Sequence, residues 1–321
     1  MSLTVVGSIA FDTVTTPFGR RERMLGGAAT HFALAASFFD RVNLVGPVGE
    51  DFTDRQMALL ATRGSDVGDV ERVAGGRTFF WEGEYGWDLN SRETLDTQLN
   101  VFEHFEPKLS DASRQCDVLF LANIQPELQL QVREQCADAR FVAMDSMNLW
   151  IEIARDALVD VIGRVHCLVL NDAELRQLTG QPNVISAAHE VLQWGPSVVV
   201  AKQGEYGAAL ITDEAFFALP AYPLQTVVDP TGAGDTFAGG FVGYVARYLD
   251  HGLTTGVLRN AMAYGTALAS FNVEQFGTEG VTSLDPAAVH ERVRHLQEFA
   301  RFDHVEVALV REAGPPSTSD G

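Results

Sequence analysis

The sequence predicts an α/β protein built on a doubly wound, mostly parallel sheet flanked by helices, and three observations carry that expectation. Short β-rich runs recur along most of the chain, each of them ends in a polar residue or glycine, and helical segments lie between them. At 321 residues with 46% hydrophobic composition and a mean hydropathy near zero, the chain is long enough to bury the two-sided core that such a sheet needs.

In order, "LTVVGSIAFD" opens as a buried strand that stops at Gly7, and "LGGAATHFALAASFF" reads as a glycine turn entering a helix. "CDVLFLAN", "ARFVAMDS", "VHCLVLND" and "SVVVAKQG" are the later strands, with helices expected at 127–137, 173–179 and 184–193. The stretch 72–102 breaks this rhythm with alternating aromatic and charged residues, which suits antiparallel strands with one wet face. It reads as a small β lid joined by the extended piece 11–24; a decorated surface hairpin is the plainer alternative. The α/β domain then comprises 1–10, 25–71 and 103–310, and the tail 311–321, containing "AGPPSTSDG", is expected to be disordered.

The formal charge is −20, from 43 acidic against 23 basic residues, which argues against a nucleic-acid polymer or an anionic membrane as partner. Any phosphate site must be local. Only two lysines occur, Lys108 and Lys202, a balance that suits a salt-rich cytosol or follows from base composition. Cys116, Cys136 and Cys167 are scattered without C-x-x-C spacing, and no charged leader or membrane-length apolar run is present, so the expectation is a cytoplasmic protein.

"DPTGAGDTFAGG", residues 229–240, starts a helix expected over about 232–249. The first-turn N–H groups of a helix lack partners and its dipole is positive there, so glycines at 232 and 234 would let an anion reach the amides of 232–235, with Asp235 beside it as a plausible general base. The plainer reading is that the aspartate complements the dipole and the glycines permit close helix packing. Phe237 stands where G-x-G-x-x-G requires its third glycine, and no G-x-x-x-x-G-K-[ST] occurs, so neither a dinucleotide fingerprint nor a Walker loop is present.

"DPTGAGDTFAGGFVGYVA" resembles the C-terminal signature of the ribokinase-like, or phosphofructokinase B, family of carbohydrate and nucleoside kinases. "VVGSIAFD", "LGGAATHFALAASFFDRVNLVGPVGEDF", "NDAE" and "VVVAKQGEYGAAL" follow the family's order along almost the whole chain. The resemblance implies an anion hole from Gly232, Ala233 and Gly234 for the γ-phosphate of ATP, with Asp235 as the base. It implies that Asp12 holds acceptor hydroxyls and that Gly26 and Gly27 form the hinge under the lid. His31 stands where many members have a sugar-binding asparagine; it either meets the acceptor or packs beside the turn. Asn171 and Glu174 match the family's N-x-x-E motif, which organises Mg2+, water and phosphate, although the same pair reads as a capping box. Lys202 and Gly204 are placed near ATP phosphate and ribose, Asn272 near adenine, and Asp229 and Thr231 where some relatives bind a monovalent cation such as K+. "HERVRH" at 290–295 spaces its histidines five apart, unlike the zinc motif H-E-x-x-H.

The expected function is ATP-dependent phosphorylation of a hydroxymethyl group on a sugar-like acceptor. Phe79, Phe80, Trp81, Tyr85 and Trp87 place five aromatics within nine residues of the lid, a stacking surface that points to a ribonucleoside of adenosine or cytidine type. A free-sugar kinase for ribose, fructose or a related sugar is the alternative, since some of these rings belong to lid core or to a homodimer contact through the lid. From other classes, a catalytically idle sensor and a Rossmann oxidoreductase are weighed; the retained Asp235 speaks against the first and the missing fingerprint against the second.

Overall fold

The computed structural model describes residues 2–301 and 303–304; the tail 311–321 lies outside the described residues. Along the chain, β1 (Leu3–Val6) leads to β2 (Ala10–Thr16), β3 (Gly19–Gly26), α1 (Ala28–Ala36), β4 (Val42–Gly49), α2 (Asp54–Leu60), β5 (Asp66–Val73), β6 (Phe79–Tyr85) and β7 (Arg92–Gln98). There follow α3 (Asp111–Arg114), β8 (Val118–Leu121), α4 (Pro126–Gln135), β9 (Phe141–Asp145), α5 (Asn148–Ile153), α6 (Arg155–Ile162), β10 (Cys167–Asn171), α7 (Asp172–Thr179), α8 (Val184–Leu192) and β11 (Val198–Lys202). The hairpin β12 (Ala208–Ile211) and β13 (Phe216–Leu219) precedes α9 (Ala233–Tyr248), α10 (Thr255–Asn272), α11 (Glu279–Thr282) and α12 (Pro286–Phe299).

The large sheet has nine strands in the order β13-β12-β11-β10-β9-β8-β1-β4-β5. It is parallel from β5 to β11, and only β12 is reversed, pairing antiparallel with both β11 and β13. Both faces of its central strands are apolar because both are covered. Val118 and Phe120 join Phe32, Phe237 and Phe241 on the α1–α9–α10 side, while Leu119 and Leu121 join Val132, Leu158 and Leu175 on the other. Polarity concentrates at the carboxyl ends, where β9 stops at Asp145, β10 at Asn171 and β11 at Lys202. That edge is where open α/β sheets bind ligands. Among the described residues no helix is long and apolar enough to cross a membrane.

The second sheet has four strands, β3-β2-β6-β7, and spans 10–26 and 79–98. It differs from the expected lid in two ways. Asp66–Val73 pairs with β4 as the edge of the large sheet, so the lid strands of this segment begin only at Phe79. Its central pair, β2 and β6, is parallel, with antiparallel partners outside. The reason is topological: β2 continues from β1 and β6 from β5, and those two strands run in the same direction.

The glycines of "FAGGFVG" show why α9 can lie so close to its neighbours. A Cβ on Gly239 would stand 2.3 Å from the Phe32 carbonyl oxygen of α1. Backbone cannot retreat as a side-chain tip can. Gly239→Ala is therefore expected to cost about 1–3 kcal/mol by overpacking, read as a lower urea midpoint with unchanged m-value; an unaltered midpoint would mean that the helices separate freely.

Candidate active site

The start of α9 is a turn held from below. Gly232 is its N-cap in the left-handed region, φ 73°, and a Cβ there would stand 2.3 Å from the His31 ring, so the conformation and the space both exclude a side chain. Asp229, fully buried, accepts the Thr231 N–H on one carboxylate oxygen and the Gly277 N–H on the other, both at 2.9 Å. The Thr231 hydroxyl donates to the Tyr85 hydroxyl of the small sheet at 3.2 Å. The polar groups that the resemblance assigned to a monovalent cation thus hold the turn together.

Asn272, expected near adenine, does not line the cavity that opens beside this turn. It is fully buried, donates to the Thr231 carbonyl at 2.8 Å, and accepts from the Thr236 hydroxyl at 3.2 Å. Its Oδ1 also lies 3.1 Å from His31 Nδ1. As the last residue of α10 it points inward, and the wall beside it is made by Ala269, Ser270 and Val273. His31 lies beneath the turn rather than on an open surface. Burial pushes its pKa down to about 4, so the ring is neutral. Because Asn272 Oδ1 only accepts, Nδ1 carries the hydrogen and Nε2 is left as a buried acceptor without a protein partner.

Of the three amides expected to form the anion hole, that of Ala233 already donates to the Pro230 carbonyl at 3.2 Å. Gly232 and Gly234 flank it. The Gly234 amide stands in the first turn, where no carbonyl four residues back exists within the helix. Lys202 closes this corner: its Nζ would be 3.0 Å from a Cβ on Gly234, and it pairs with Asp145 Oδ2 at 2.9 Å. That pair is nearly out of water, with side-chain exposures of 16% and 6%.

Three acidic groups, Asp145, Glu174 and Asp235, crowd around this cation. Asp235 is pushed up to about 7, first by burial and then by the Asp145 charge, with Lys202 opposing and Glu174 adding to the rise. Glu174 is likewise raised to about 7 by burial and by Asp145. It forms a full capping box with Asn171: the Glu174 N–H donates to Asn171 Oδ1 at 2.8 Å, and the Asn171 N–H to Glu174 Oε2 at 2.9 Å. The capping role is therefore present, and Oε1 stays outside the box. Asp12 is raised to about 7 by burial and by the charges of Asp229 and Asp235, and accepts a hydrogen bond from the Gly27 N–H. A Cβ on Gly26 would stand 1.9 Å from Asp12 Oδ2, so a side chain there would push the Asp12 carboxylate aside. Asp12, Gly26 and Gly27 thus come together within electrostatic reach of Asp235.

A cavity of about 520 Å³ opens from this corner. Lys202, Gly204, Ala233 and Gly234 form its polar end, and Tyr222, Leu224, Val227, Ala269 and Val273 line its apolar walls. Those walls suit the planar base of a nucleotide whose phosphates reach the amides. Among the described residues no three of His, Cys, Asp or Glu are grouped to hold a metal by themselves. The raised proton affinities of Asp235 and Glu174 do mark uncompensated negative charge, which a divalent cation arriving with phosphate would relieve.

Two groups escaped the sequence reading. Asp145 ends an apolar strand just as Asn171 and Lys202 end theirs, and that shared position is the signal that could have found it. Arg92, on β7, favours the ionised forms of Asp12, Tyr85 and Glu174 across the cleft; no local signal announces it. Of the five lid aromatics, Phe80 packs into the main core and Phe79 stacks on Phe102 at 5.7 Å. Tyr85 is bonded to Thr231, and Trp87 is 91% exposed. Trp81 is half-buried with the Arg92 guanidinium 5.3 Å from its ring.

Residues 3–284 match the family model of pfkB carbohydrate kinases. The chain is 31% identical over 254 residues to a cytidine kinase of Thermococcus kodakarensis, covering 77% of this chain and 89% of that one. The nucleoside kinase structure of Methanocaldococcus jannaschii superimposes with a TM-score of 0.74 at 20% identity, covering 92% and 98% of the two chains. A putative Ribokinase II from E. coli, in complex with ATP and Mg2+, does so with a TM-score of 0.75 at 19% identity, covering 92% and 99%. With the doubly wound sheet, the small second sheet and the glycine turn at the start of α9 all in place, the chain belongs to the pfkB family of carbohydrate kinases.

Proposed function

We propose that the protein transfers the γ-phosphoryl group of ATP to the 5′-hydroxymethyl group of a ribonucleoside. The observation that carries this reading is the meeting, at the N-terminus of α9, of the Lys202 ammonium, the glycine amides and a carboxylate of raised proton affinity, at the polar end of an apolar-walled cavity. The phosphates lie against the Gly232 and Gly234 amides and Lys202, where the dipole and the cation take up charge on the transferring group. Asp12 holds the acceptor. Asp235 takes the hydroxyl proton as the new O–P bond forms and the bond to the β-phosphate oxygen breaks, releasing ADP. When bound with ATP, Mg2+ supplies charge neutralisation, and Glu174 Oε1 and Asp145 are the groups that would hold it through its water shell. Arg92 adds a second cation from the small sheet.

The acceptor class is supported by the cytidine kinase and nucleoside kinase names of the relatives and by Trp81 as a stacking face. Purified protein with Mg·ATP and a panel of nucleosides and free sugars, scored for ADP release, tests it. Cytidine or adenosine is expected to exceed ribose and fructose in kcat/KM by at least about tenfold, the worth of one stacked base, with the 5′-phosphate as product. Free sugars ahead by the same margin would remove the nucleoside assignment and leave the kinase assignment standing.

A further inference from the structure

The turn between β6 and β7 is closed on itself. One Asp88 oxygen accepts the N–H groups of Asn90 and Ser91, both at 3.1 Å, and the other accepts the Ser91 hydroxyl at 3.1 Å. Leu89, at φ 56°, donates its N–H to the Gly86 carbonyl at 3.0 Å. A turn fixed internally in this way moves as one body, and its resting place is set by what it touches. It touches the loop after β11: Asn90 Nδ2 donates to Glu205 Oε1 at 3.3 Å, bridging the small sheet to the large domain. Residues 88–90 line the same cavity as Lys202, Gly234 and Val273. Leu89 is half-buried there, while its neighbours Trp87, Asp88 and Asn90 are exposed.

We infer that Leu89 and Asn90 are positioning residues for the donor nucleotide: Leu89 roofs the pocket, and Asn90 latches the small sheet to Glu205, so that ATP or ADP closes the lid without help from the acceptor. The inference rests on the kinase reading above. A bound nucleotide fills the space beneath Leu89 and gives it apolar surface to cover, and a ligand that makes contacts only in the closed state shifts the population toward that state. The latch is a single exposed hydrogen bond, strong enough to bias closure and weak enough to release product.

The test is calorimetric titration of ADP, with no acceptor present, into wild type, Asn90→Ala, Asn90→Asp and Asn90→Asp/Glu205→Gln. Asn90 is exposed, and alanine keeps the backbone bond to Asp88, so all four proteins are expected to share one circular dichroism spectrum. Asn90→Ala should weaken ADP binding by about three- to tenfold, the net worth of one hydrogen bond. Asn90→Asp should weaken it further, because two carboxylates then face each other, and the double variant should regain affinity because the amide and the carboxylate have merely changed places. Equal ADP affinity in all four proteins would overturn the inference and leave the kinase reading intact. Failure of wild type itself to bind ADP would overturn both.

Discussion

Asp235→Asn should lower kcat by about 10²- to 10⁴-fold, the usual worth of a positioned base, while its melting temperature at pH 8 stays at or above that of wild type. The first part follows from the carboxylate's place at the start of α9 beside Lys202. The second follows from its surroundings. The Asp235 pKa is about 7 in the folded protein against an ordinary 3.8, so the folded state binds the proton more tightly than the unfolded chain does. Stability linked to this group is full below pH 3.8 and is lost as pH rises toward and through 7, where the charge stands among Asp145 and Glu174. Asparagine removes that charge. The gain should be largest at pH 8 and vanish near pH 4, read by thermal unfolding across that range. In wild type, kcat/KM should rise with pH on a limb centred near 7, and because Asp12 and Glu174 are raised into the same region, the limb belongs to the group of carboxylates. Near-wild-type turnover in the variant would remove Asp235 from the mechanism.

Lys202→Met has the opposite profile, damaging the fold as well as the chemistry. It leaves Asp145, 6% exposed at its side chain, without its partner and facing Glu174 and Asp235. Removing one member of a buried pair costs about 3–5 kcal/mol, because the remaining charge stays buried and uncompensated. Adding Asp145→Asn should restore part of the stability, since the buried partner of Lys202 is then neutral and no longer repels Glu174 and Asp235, yet turnover should not recover because the ammonium is still missing. Urea unfolding and steady-state kinetics on the two single variants and the double separate the effects. Wild-type stability in Lys202→Met would mean that water reaches Asp145 freely.

The large sheet was legible because its strands are covered on both faces, which leaves unbroken apolar runs such as those ending at Leu121 and Ala201. The glycine turn was legible because its backbone demands leave a spelling. What the chain does not spell is side-chain direction at the end of a long helix. Asn272 was assigned to adenine by its place in the order of motifs, and one step of helical rotation turns it into the protein and gives the wall to Val273. Arg92 was invisible because two of the three groups it acts on, Asp12 and Glu174, are 80 or more residues away in sequence, and its neighbour Tyr85 carries no sign of them. The lid was found by its broken rhythm, but its lower boundary was placed too early because β5, half-exposed at the edge of the large sheet, carries the same alternation of apolar and charged residues.

The anchors of the glycine turn at the start of α9 lie almost wholly on one side of the cleft. Asp229, Asn272, His31 and the Gly277 N–H all belong to the large domain, and among the described residues Tyr85 makes the small sheet's one hydrogen bond to this turn. Substitutions at lid positions away from Tyr85 therefore leave the hydrogen bonds of this turn in place. The shape of the turn is thus dictated from one side, and the small sheet can shift as a body at the cost of a single hydroxyl–hydroxyl bond to it.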